Sequence, residues 1–80
     1  MNANLKRWAN AVAVALAETS DDVPEGHLYA ALMTGGADIH DWGTIRSLLL
    51  RVGFVEALPG PCLRATTRLR DALRSAKGAA

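Results

Sequence analysis

The stretch DIHDWGTIRSLLLRVGFVEALPGPCLRATT, residues 38–67, carries the strongest structural signal in this 80-residue chain. Its apolar residues recur at helical spacing until Gly53, a residue type that commonly ends helices. Two short runs suited to extended strands follow, separated by the turn tripeptide Pro-Gly-Pro at 59–61. The stretch therefore predicts a helix of about residues 39–52 that leads directly into a β-hairpin of about residues 54–66.

The predicted helix 39–52 has two distinct faces. Asp38 can cap the predicted helix, and Asp41 stands at its third position. At 100° per residue, the apolar face consists of Trp42, Ile45, Leu49 and Val52. The opposite face consists of His40, Gly43, Thr44, Ser47 and Arg51.

The first predicted helix covers about residues 4–18 and is rich in alanine, which favours helix formation. It is apolar on more than one side. A helix of this kind is either buried at the centre of a domain or packed against a second copy. We expect central burial, and the same helix is a candidate surface for a homodimer.

The second predicted helix covers about residues 23–34. Asp22 can cap it, Pro24 suits its first turn, and Glu25 stands three residues after the cap. The pair Gly35–Gly36 ends it.

A last helix of about residues 67–77 follows Thr66 or Thr67, either of which can serve as its cap. The expected order is therefore three helices, two strands and a final helix, in a mainly α fold with a small β-hairpin. Eighty residues form one domain, residues 1–80, with no room for a second core.

Composition excludes several classes of protein. Half of the residues are hydrophobic, which indicates a globular chain. Cys62 is the single cysteine, so no disulfide framework is expected. The apolar run that follows Lys6 and Arg7 is too short to be a secretory signal or a membrane span. We therefore predict a cytoplasmic protein without membrane contact.

Charge is distributed unevenly, although the net charge is only +1. Residues 1–40 carry a net charge of −3, and residues 41–80 carry +4. The basic half is also the half that contains the predicted helix and hairpin. This distribution is compatible with a nucleic-acid partner, and equally with arginines that solvate a helix and complement its dipole.

The order and punctuation of these elements resemble the winged helix-turn-helix superfamily. Residues 27–32, HLYAAL, resemble its second helix, and residues 42–52 resemble its third. Gly53-Phe54-Val55 is similar to the exit from that helix in many bacterial repressors. Residues 63–66, LRAT, are similar to the strand end that opens their last helix. The resemblance implies a small transcriptional regulator whose third helix lies in the major groove of DNA.

The resemblance also implies which residues contact DNA. Arginine can read guanine, and Ser, Thr or His can bond to base edges or phosphates. The base-reading candidates are His40, Thr44, Ser47 and Arg51. The candidate phosphate partners are Arg46, Arg64 and Arg68.

A second hypothesis is a winged-helix domain that binds protein and not DNA, as an adaptor or as a small inhibitor of the kind mobile elements encode. Asp38 and Asp41 put negative charge at the start of the third helix, where phosphates would repel it. Glu56 precedes a hairpin tip that has no lysine or arginine. These features suit a protein partner better than DNA.

Catalytic and metal-binding chemistry is not expected. The soft ligand candidates are His27, His40 and Cys62, and no two of them have the short spacing typical of a zinc site. No phosphate-binding loop is present, and a chain of this size has little room for a catalytic pocket. We therefore predict no enzyme activity, no catalytic residue, no metal and no cofactor.

Overall fold

The computed structural model describes residues 3–19 and 21–78 of the chain. The described part has four helices and three strands. In chain order they are α1 (Ala3–Ala17), β1 (Val23–Pro24), α2 (Glu25–Thr34), α3 (Ile39–Arg51), β2 (Val55–Leu58), β3 (Cys62–Ala65) and α4 (Thr67–Gly78). The expected mainly helical fold with a small β element is confirmed. None of the described helices is long and apolar enough to cross a bilayer.

The sheet has three antiparallel strands in the order β1-β3-β2, so the expectation of a two-stranded hairpin alone was wrong. β2 and β3 form the predicted hairpin, with Val55 opposite Ala65 and Leu58 opposite Cys62. β1 pairs with the other side of β3 through Val23 and Leu63. A strand of two residues is too short to show alternation in the sequence, and proline is a residue that strands accept only at edges and ends.

The predicted start of the second helix was also wrong. Val23 and Pro24 are extended in β1, so α2 begins only at Glu25, and Pro24 occupies its N-cap position without a side-chain cap bond. The Glu25 N–H donates to the Pro61 carbonyl at 3.0 Å, which ties the start of α2 to the hairpin. Asp22 does not cap the helix, and its carboxylate lies 3.6 Å from the guanidinium of Arg64.

The core lies where α1, α3, α4 and the sheet meet. The largest fully buried side chains are Leu16 of α1, Ile45 of α3, Leu63 of β3 and Leu69 of α4. α1 packs against α3, β3 and α4 through one face, on which Ala9, Val12, Ala13 and Leu16 are buried. Ala11 and Ala15 are exposed, so the expected central burial holds for that face alone. Pairing of α1 with a second copy stays a prediction.

A tight turn at Gly53 connects α3 to the hairpin. The N–H of Gly53 donates to the Leu50 carbonyl at 3.2 Å, and the N–H of Phe54 donates to the Leu49 carbonyl at 3.0 Å. This pair of bonds is the Schellman motif, which requires a left-handed residue after the helix. Gly53 supplies it with a φ of 79°.

Thr66 directly follows β3 and ties the base of the hairpin to the turn at Gly53. Its hydroxyl donates to the Gly53 carbonyl at 2.6 Å, and its N–H donates to the Phe54 carbonyl at 3.0 Å. The Thr66 oxygen also accepts from the Leu69 N–H at 3.4 Å, as an N-cap of α4 does. The end of α3, the base of the hairpin and the start of α4 therefore share one set of hydrogen bonds.

Two glycine-to-alanine substitutions are expected to have opposite effects on stability. Gly53→Ala should destabilise the protein by about 1–2 kcal/mol, because alanine is strained at this φ. Its Cβ would also lie 3.3 Å from Cδ of Arg68. Gly43→Ala, in the interior of α3 with open space around the new Cβ, should stabilise by about 0.5–1 kcal/mol. Urea unfolding followed by circular dichroism measures both, and a Gly53→Ala variant as stable as the parent would contradict the assigned turn.

Candidate nucleic-acid interface

The start of α3 is capped at Asp38, as the sequence predicts, and Asp41 completes a reciprocal capping box. The Asp38 carboxylate accepts from the Asp41 N–H at 2.9 Å, and the Asp41 carboxylate accepts from the Asp38 N–H at 3.0 Å. Both acids therefore bind backbone donors at the positive end of the helix dipole. The hydrogen bond from the Asp41 N–H lowers the pKa of Asp38 below its ordinary value of 3.8.

The buried face of α3 determines which residues point outward. Trp42, Ile45 and Leu49 are buried in the core, as the apolar stripe predicts. The four predicted base-reading residues lie on the opposite, exposed face. Together with Ile39, Gly43 and Leu48 they line one open concave surface, and the volume of this shallow depression is about 610 Å³. Because every lining residue belongs to α3, this is an open helix surface and not an enclosed cleft.

The four polar side chains on this face differ in their freedom to bind a partner. The Thr44 hydroxyl donates to the His40 carbonyl at 3.2 Å, so its remaining capacity is as an acceptor. Within the described part of the chain, the side chains of Ser47 and Arg51 have no hydrogen bond or ion pair. Arg51 is exposed at the C-terminal end of the face, where its five N–H donors are available.

Two of the three predicted phosphate-binding arginines are held by carboxylates. Nε of Arg46 lies 2.6 Å from Oε1 of Glu25, and this half-buried ion pair connects α3 to α2. Nε of Arg64 donates to Oε1 of Glu56 at 2.9 Å across the hairpin. That hydrogen bond raises the pKa of Arg64, which is charged in any case. Both charges are therefore largely compensated inside the protein.

Arg68, the third of these arginines, is placed differently. Its side chain lies over Gly53, with Cδ 3.3 Å and Nε 3.9 Å from the position that a Cβ on Gly53 would take. Among the described side chains, Arg68 has no carboxylate partner. Arg51 stands two residues before the same glycine. Arg68 therefore lies next to the turn that ends α3, the helix that carries Arg51, although Arg51 and Arg68 are 17 positions apart in the sequence.

Ile39 belongs to this surface and was missing from the sequence prediction. It lines the same concavity as His40 and Gly43, and 64% of its surface is exposed. The sequence offers one signal, its position immediately after the N-cap, at the edge of the apolar stripe. Whether such a residue turns inward depends on what packs beside the helix start.

Metal-ligand side chains are scattered in the described structure. The Cys62 thiol donates to the Gly60 carbonyl at 3.0 Å at the hairpin tip. Within residues 3–19 and 21–78, no three His, Cys, Asp or Glu side chains converge as ligands of a metal ion would.

Removal of the Asp38 carboxylate should make stability less dependent on pH. The folded pKa is depressed, so the carboxylate stabilises the fold fully above about pH 4, and this contribution is lost as pH falls through the folded pKa. Asp38→Ala should unfold at lower urea concentration than the parent at pH 7, with the difference shrinking in acid. Asp38→Asn is the control, because asparagine caps equally well without titrating. An Asp38→Ala deficit that is the same at pH 3 and pH 7 would contradict this role.

Comparisons of the chain with protein-family models, with curated proteins and with solved structures found no match. No relative therefore supplies a family or an activity. Function is inferred from the chain's own residues.

Proposed function

We propose that this protein is a winged-helix DNA-binding regulator that reads the major groove with the outward face of α3. The observation that carries the proposal is that face itself. Four side chains that can bond to bases or phosphates project from it at one-turn spacing, and the Arg51 side chain has no hydrogen bond or ion pair within the described part of the chain. A major groove about 12 Å wide accepts one helix, so an open surface made by one helix matches it in shape.

The order of the elements supports the proposal. The helix that bears the polar face leads through Gly53 into the β2–β3 hairpin, and β1 adds a third strand ahead of α2. In winged helix-turn-helix proteins the third helix enters the groove and the hairpin lies beside the phosphate backbone. The Thr66 hydrogen bonds would hold α3 and the hairpin in a fixed relation, so both could meet the duplex together.

The chemistry of the face divides the contacts into two kinds. Arg51 can bond bidentately to the O6 and N7 atoms of guanine, while His40, Thr44 and Ser47 offer single hydrogen bonds. Gly43, in the middle of the face, has open space where a Cβ would stand, which lets a duplex approach the helix backbone closely. Arg68 would bind a phosphate next to the guanine contact.

The pairing of arginines with carboxylates predicts a weak electrostatic contribution to DNA affinity. Each phosphate neutralised contributes a slope of about −0.9 to the dependence of log K on log salt. Arg46 and Arg64 are already paired with carboxylates, so Arg51 and Arg68 supply most of the available positive charge near α3. Affinity would therefore depend on base contacts more than in a strongly basic protein. A dimer through α1 would place two copies of α3 on two half-sites and multiply the affinity.

Arg51→Ala should weaken binding to a preferred duplex by about 1–3 kcal/mol and relax the preference for guanine at one position. The matched control is Arg74→Ala, which removes the same charge from α4, where Arg74 is exposed and paired with Asp71. Fluorescence anisotropy at about 50 and 200 mM salt measures affinity and salt dependence together. Equal losses in the two variants would mean that Arg51 acts only through net charge.

Glu56→Gln should strengthen DNA binding, because it releases Arg64 from its hairpin ion pair. The salt slope should become steeper by about one unit as one more phosphate is neutralised. Glu18→Gln, directly after α1, changes net charge equally and is the control, since Glu18 is exposed and has no ion pair in the described structure. If both variants gain the same affinity, the hairpin does not approach the phosphates.

Recognition of a protein partner is the second candidate function. The exposed side chains of Met33 and Ile39, 52% and 64% accessible, favour it, as does the internal pairing of Arg46 and Arg64. The anisotropy measurement separates the two candidates. Failure of the parent protein to bind any duplex at about 50 mM salt would overturn DNA recognition and leave the protein-binding function.

A further inference from the structure

Ile39 has no role in the packing of the described structure. Two large hydrophobic side chains are strongly exposed in the described part of the chain, and Ile39 is the more exposed of them. It belongs neither to the buried core nor to the partly buried residues packed against that core. A β-branched side chain also gains nothing for a helix at this position. Folding therefore does not account for it.

The surroundings of Ile39 are those of a binding face. It lines the same concave surface of α3 as His40, Thr44, Ser47 and Arg51. Gly43 lies about one turn after Ile39 in α3 and has no side chain that could cover Ile39. The N-terminal end of the face is thus apolar and open, while its C-terminal end is polar and cationic.

We propose that Ile39 is a specificity-determining residue that contacts the C5-methyl group of thymine, an inference that rests on the proposed DNA-binding function. Of the groups on base edges in the major groove, the thymine methyl is the apolar one. Contact between an exposed aliphatic side chain and this methyl group is favourable, because it removes the apolar surface of both from water. Of the polar residues on the face, Thr44 also carries a methyl group, but Ile39 presents the larger and wholly apolar side chain.

The spacing along α3 gives the proposal a geometry. Ile39 and Arg51 are 12 residues apart, which is roughly 18 Å along a helix axis at 1.5 Å per residue. With α3 lying along the groove, this length covers about five base pairs at 3.4 Å each. The face would then prefer thymine at the end near Ile39 and guanine at the end near Arg51.

The test compares one mixed-sequence DNA fragment copied with either thymidine or deoxyuridine triphosphate, which differ only in the methyl group. The parent protein should bind the deoxyuridine copy about fourfold more weakly for each methyl contacted, the value expected for one buried methyl group. Ile39→Ala, which keeps only a Cβ at this position, should show a clearly smaller ratio between the two copies than the parent. Met33→Ala is the matched control, because it trims the other exposed hydrophobic residue, on α2 outside this face, and should keep the parent's ratio.

The outcomes separate this inference from the function on which it rests. If the parent binds the thymidine and deoxyuridine copies with equal affinity, the thymine contact is wrong while DNA binding stands. The same conclusion follows if Ile39→Ala keeps the parent's ratio of the two affinities. If the parent binds neither copy at about 50 mM salt, the DNA-binding function itself fails. Circular dichroism of each variant confirms that it is folded, as expected for a change at an exposed position.

Discussion

The left-handed turn at Gly53 is the constraint on which the rest of the structure depends. It ends α3 with two hydrogen bonds, directs the chain into β2, and presents a carbonyl to the hydroxyl of Thr66. The Thr66 side chain in turn caps α4. With any other residue at this point the junction of α3, the hairpin and α4 would be strained, because L side chains are disfavoured at positive φ. The same turn brings Arg68 of α4 beside the last residues of α3.

The second organising effect is the pairing of charges. A basic C-terminal half suggests a broad cationic surface, but the folded chain compensates Arg46 with Glu25, and Arg64 with Glu56 and Asp22. Of the arginines on or near α3, Arg51 and Arg68 are the two without a carboxylate partner in the described structure. Exposed ion pairs contribute little to stability. Their larger consequence here is to limit how much positive charge a partner can meet.

Local signals predicted the central part of the fold. The apolar stripe of α3, its cap at Asp38 and the glycine that ends it could all be predicted, because each depends on residues within one or two turns. The hairpin was predicted from its turn residues for the same reason. β1 and the true start of α2 were not, because two residues become a strand only when β3 lies beside them. In the sequence, Pro24-Glu25 is typical of a helix start. Only the pairing of β1 with β3 shows that Pro24 belongs to a strand.

The sequence by itself therefore determined the helices, the turn at Gly53 and the outward placement of His40, Thr44, Ser47 and Arg51, since helical periodicity fixes which residues share a face. Tertiary structure alone decided which arginines are compensated and that Ile39 stays exposed. It also decided that Arg68 meets the end of α3. These properties depend on distances between residues remote in the chain, such as Glu25 and Arg46 or Gly53 and Arg68. Such distances follow from packing around the common core, which no local pattern encodes.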